Sequence, residues 1–100
     1  MASLQKHFLL FLTECSLKQG KQLLANRTKA QLLAIREVVY NVIRGNVEVK
    51  PDQLKILKKN KNFLRQFAYK SVTSAILAKN AKVIITILGM VKSHIAHMSK

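Results

Sequence analysis

"TKAQLLAIREVVYNVIRG", running from Thr28 to Gly45, is the stretch on which the fold turns. Thr28 and Gln31 have the spacing at which the Thr hydroxyl accepts the Gln31 backbone N–H while the Gln side chain accepts that of Thr28. Leu32, Ile35, Val39, Val42 and Ile43 then recur on one face at helical period. Arg44 puts a cation in the last turn, and Gly45 suits the left-handed position just past a helix end. A helix over Thr28–Arg44 is expected, closed at both ends by its own residues.

Toward the N-terminus, Ser3 is positioned to cap a helix reaching about Glu14, with Phe8, Leu9, Phe11 and Leu12 at near-helical spacing. "SLKQ" from Ser16 repeats the reciprocal cap and opens a second helix, which Gly20 weakens. Toward the C-terminus, "NVEV" from Asn46 to Val49 reads as extended and leads to Pro51, whose missing N–H suits the first position of a new helix. Ser71 is a candidate cap for a short helix through Ala78. A last helix is expected from Ala81 to His97, burying Val83, Ile84, Ile87, Leu88, Val91 and Ile95. The β-branched run from Val83 to Ile85 has no second strand pattern to pair with. The fold class expected is therefore all-α, a compact bundle of five or six short helices in one domain over residues 1–100, with no internal repeat or linker.

Composition narrows the function. Apolar residues make up 49% of the chain, too many for a disordered basic tail, while eighteen Lys and Arg face four acids for a net charge of +14. Most cations thus lack an internal partner, and self-repulsion on that scale favours an anionic one. The single Cys15 excludes an internal disulfide. His7, His94 and His97 give no zinc spacing, so neither metal nor cofactor is expected. Nor is an enzyme: the four carboxylates are scattered, Cys15 has no evident base and there is no Gly-rich phosphate loop. "FLLFL" at 8–12 is shorter than a signal-peptide core, and "VIITILGMV" at 83–91 is far below the roughly twenty residues that span a bilayer. An intracellular protein without a membrane span is expected.

"KPDQLKILKKNKNFLRQFAYKS", Lys50 to Ser71, holds seven of the eighteen cations and one acid, Asp52. As one helix of about 30 Å, it separates Ile56, Leu57, Phe63, Leu64, Phe67 and Ala68 on one side from Lys55, Lys58, Lys59, Lys61, Arg65 and Lys70 on the other. Asn62, Gln66 and Tyr69 join the cationic side. A face that merely keeps a helix soluble mixes both signs, whereas this one is almost purely positive. Lys-rich stripes hold phosphates without discriminating bases. The candidate nucleic-acid-binding set is therefore Lys55, Lys58, Lys59, Lys61, Arg65 and Lys70, extended by Lys79 and Lys82. Tyr40 and Tyr69 have rings on which bases can stack, but without an aromatic cluster around them they read as residues at the edge of the core. The alternative function is a protein-interaction or capsid-associated scaffold module. In it the basic surface meets an acidic protein, and apolar surface of the first and last helices makes a homo-oligomer or a partner groove.

The order "EVVYNVIRGNVEVKPDQLKILKKNKNFLRQFAYKSV" resembles small basic proteins of adintovirus-like and Maverick/Polinton-type viral DNA elements. The resemblance covers roughly residues 37–92 and rests chiefly on Asn41, Gly45, Asn46, Leu57, Lys58, Lys59, Lys61, Leu64 and Arg65. Lys50 stands where that pattern has a Ser or Thr cap. A basic segment with paired glycines is reduced here to "KNAKVIITILGM", with Gly89 alone. The resemblance implies a protein of a virus or virus-like element, a virion core or DNA-packaging component found in the host nucleus or the virion.

Overall fold

Local signals near the chain's polar residues start and stop its helices, and these are described for residues 5–70 and 72–97 of a computed structural model. Among them lie eight helices and no strand: α1 (Lys6–Glu14), α2 (Leu17–Ala25), α3 (Lys29–Ile43), α4 (Pro51–Lys59), α5 (Lys61–Tyr69), α6 (Ser74–Lys79), α7 (Ala81–Met90) and α8 (Lys92–Ala96). The all-α class holds. The count exceeds five or six because two segments expected to be continuous are divided, one at Asn60 and the other at Val91. The expected caps Ser3 and Ser71 lie outside the described residues. Thr73 caps α6, its hydroxyl accepting the Ile76 N–H at 3.2 Å.

Both reciprocal caps form, Ser16 with Gln19 and Thr28 with Gln31. At the end of α3, Gly45 takes φ +78°, where a side chain would be strained. This turn lets the Asn46 N–H reach the Asn41 carbonyl at 2.9 Å and the Gly45 N–H reach that of Val42 at 3.2 Å, satisfying two terminal carbonyls. Pro51 opens α4 as expected, but Lys50 gives only half a cap: its N–H donates to Gln53 Oε1, and its cationic side chain accepts nothing in return.

Asparagine ends α2, α4 and α6 with one repeated device. Asn26, Asn60 and Asn80 each sit near φ −108°, ψ 20°, between the helical and extended regions. In each, backbone N–H and side-chain Nδ2 both donate to the carbonyl four residues back, that of Gln22, Ile56 or Ile76. At Asn60 and Asn80 the residue's own carbonyl accepts the first bond of the next helix, from Leu64 and Ile84 respectively. One residue therefore ends one helix and starts another. Val91 makes the α7–α8 joint two residues after Gly89, a poor helix former.

Every helix except α4 contributes fully buried residues to one core, against which Leu57 of α4 packs half-buried. α1 packs on α7 and α8, α2 on α6 and α7, and α3 on α5, with α3 also meeting α1 and α7. α3 buries Ala34, Ile35, Val38, Val39 and Val42, and α5, packed on it, buries Leu64 and Phe67, whose burial is worth about 1.5–3 kcal/mol each. Arg36 Nε adds a cross-link to the Phe67 carbonyl at 3.0 Å. Within the run from Val83 to Val91, Ile84, Ile87, Leu88 and Val91 are buried as expected, while Val83, expected buried, is half-buried against the core. In α1, Leu9 and Leu12 are buried, while Phe11 of the same apolar run is 51% exposed. No described helix is long and apolar enough to cross a membrane.

Candidate nucleic-acid interface

Lys50 to Tyr69 does not form the single straight ridge expected of it. Asn60 divides it into two helices of nine residues, each about 14 Å long at 1.5 Å per residue. α5 is anchored to α3 by Leu64 and Phe67, whereas α4 has no buried residue and keeps Ile56 and Leu57 only half-buried. All eight candidate cations, Lys55, Lys58, Lys59, Lys61, Arg65, Lys70, Lys79 and Lys82, are exposed. None forms an ion pair with a described residue. Lys92 does, bonding Glu14 at 2.6 Å and tying α8 to α1.

The division at Asn60 sorts these cations among separate hollows. Lys58, Lys61 and Arg65 stand around a groove floored by Val42, Ile43, Leu57 and Leu64, with Leu54 exposed at its lip. Lys59 lies in a different hollow beside Asn60, where α4 meets α7, together with Lys82. Arg65 also borders a third, on α5, with Asn62, Gln66, Tyr69 and Lys70. Lys55 and Lys79 line none of the three. The structure thus brings together Lys58, Lys61 and Arg65, then Arg65 and Lys70, then Lys59 and Lys82, along a folded band.

Tyr40 and Tyr69 lie outside the core rather than at its edge, 36% and 53% exposed. Packing of α3 on α5 sets their rings edge to face, 5.6 Å between centroids and 77° between planes. Arg44, absent from the sequence-derived set, lies over the Tyr40 ring at 5.8 Å. Twenty-nine positions separate the tyrosines in the chain, so no local pattern pairs them. The legible part of the signal was Asn62, Arg65, Gln66 and Tyr69 at i, i+3, i+4 and i+7, one face of α5.

Primary amines and guanidinium groups held in water offer charge-assisted hydrogen bonds to phosphate oxygens. Cys15 packs against the core with its thiol directed at the Leu12 carbonyl, and His97 Nδ1 is bonded to the Ser93 carbonyl. No protein-family model, curated protein or solved structure matches the chain.

Proposed function

We propose that this protein binds nucleic acid, double-stranded DNA foremost, through its phosphates and without reading sequence, using the folded band of cations on α4 and α5 with Lys79 and Lys82. One observation carries this reading: all eight cations are exposed and none is ion-paired with a described residue, in a chain of net charge +14. Like charges gathered on adjoining helices repel, and a polyanion removes that cost while releasing its own counterions. The resemblance to proteins of viral DNA elements extends the proposal to a virion core or DNA-packaging role, in the host nucleus or the virion. The apolar run of α7 lends the rival scaffold reading little, since most of it is buried, whereas Phe11 of α1, 51% exposed, keeps an apolar surface that this reading can use.

Duplex titration at several salt concentrations tests the proposal. Neutralising about four phosphates gives a log–log salt slope of roughly −3 to −4. Replacing Lys58, Lys59, Lys61 and Arg65 together by Gln leaves the apolar faces and helix propensity intact, and should lower affinity uniformly across sequences while flattening the slope. Gln at Lys6, Lys18, Lys21 and Lys29 controls for net charge alone. Equal losses in the two variants would make binding diffuse. Absence of duplex binding at about 100 mM salt would overturn the reading in favour of an acidic protein partner.

A further inference from the structure

The third hollow has a composition that phosphate binding alone does not require. Along one face of α5, the amides of Asn62 and Gln66, the guanidinium of Arg65, the ring of Tyr69 and the amine of Lys70 all reach solvent. Neither amide side chain has a hydrogen-bond partner among the described residues. A single exposed tyrosine is ordinary. Here, however, the ring is held edge to face by a second exposed tyrosine, whose own ring carries Arg44, so its orientation is set before any ligand arrives.

From this arrangement we infer that the α5 face is a seat for an unpaired nucleotide, and that the protein takes single-stranded nucleic acid there. The base stacks on Tyr69, the Asn62 and Gln66 amides meet the base edge, and Arg65 and Lys70 hold the flanking phosphates. A duplex keeps its bases stacked on each other and offers no free π-face, so only its phosphates engage this hollow. The inference rests on the nucleic-acid reading above and adds a base-dependent component to it. Every base has a π-face, so this seat selects strandedness rather than sequence.

The test compares an oligothymidylate of about 12 nucleotides, an abasic oligomer of equal length and a duplex of the same length, all at one salt concentration. Wild type should bind the thymidylate about tenfold more tightly than the abasic strand, a comparison that needs no variant protein. The chain has two tyrosines and no tryptophan, so its intrinsic fluorescence reports this site and should be quenched by the thymidylate but not by the abasic strand. Tyr69→Leu should lose the thymidylate preference and bind the duplex as wild type does, with circular dichroism verifying its fold; Tyr69→Phe should retain the preference. If thymidylate and abasic strands bind equally, the stacking seat is overturned and phosphate binding stands. If no polyanion of the three binds, both readings fall together.

Discussion

Gly20 shows how one residue carries opposite meanings at two levels. Within α2 it lowers helix propensity by about 1 kcal/mol relative to Ala. In the folded protein it is buried, and a Cβ added there would stand 2.3 Å from Ile85 Cδ1, with Ile85 Cγ1 and Cys15 Sγ at an ordinary 3.5 Å. Glycine therefore lets α2 lie close against α7, and one methyl group is the obstacle to anything larger. The clashing atom is the free end of a half-buried side chain, so turning it aside costs about as much as the propensity gain, and Gly20→Ala should change stability by less than about 1 kcal/mol. Ile85→Val removes the Cδ1 atom, and in that background Gly20→Ala should become stabilising. Urea unfolding of the four proteins in this cycle should show a coupling of about 1 kcal/mol. Additive effects would mean that the Ile85 side chain turns aside freely to admit the methyl group.

At the level of elements, α3 and α4 are opposite cases. α3 has a reciprocal cap, a glycine turn and five buried residues, so local and tertiary forces agree. α4 has mainly local support: Pro51 at its first position, and Asp52 in its first turn with Lys58 and Lys59 in its last, three charges favourably placed in the helix dipole, while Leu57 packs half-buried against the core. It buries no residue fully, and at nine residues it is shorter than the roughly 12–15 at which an isolated helix persists. It also holds Lys55, Lys58 and Lys59 close together. α4 should consequently open at far lower free energy than the global unfolding that exposes α3. Native-state hydrogen exchange should find its amides at least about a hundredfold less protected than those of α3 and α7. Saturating duplex DNA should slow exchange in α4 selectively, since the polyanion relieves repulsion among its lysines. Equal protection of α3 and α4 in the free protein would contradict this view.

For the whole molecule, net charge and ion pairing set the response to salt. The Lys92–Glu14 pair has side chains 47% and 62% exposed, and such pairs contribute about 0–1 kcal/mol. Against it stands the mutual repulsion of a +14 charge within principal extents of 32 × 30 × 25 Å. Salt screens both, and what it removes is mostly repulsion. Raising sodium chloride from about 50 to 500 mM, which shortens the Debye length from roughly 14 to 4 Å, should therefore raise the melting temperature. Thermal unfolding followed by circular dichroism would show it. A falling melting temperature would mean that attractive pairs outweigh the net repulsion.

Helix type, most helix ends and the cationic inventory were determined by the sequence itself. Ser16 with Gln19, Thr28 with Gln31, Gly45 and Pro51 act on backbone groups within four residues, a range over which chain order alone decides who meets whom. Tertiary structure decided the shape of the site. The apolar and cationic periods run through Asn60 without interruption, so the pattern reads as one helix. Asn60 makes the break locally, through its bonds to the Ile56 carbonyl, and the docking of α5 on α3, with α4 burying no residue fully, sets the two halves apart. Tertiary packing likewise pairs Tyr40 of α3 with Tyr69 of α5, and gathers Lys82 of α7 to Lys59 of α4. Those neighbours are distant in the chain, and only burial of a shared core, a sum over many side chains, brings them together.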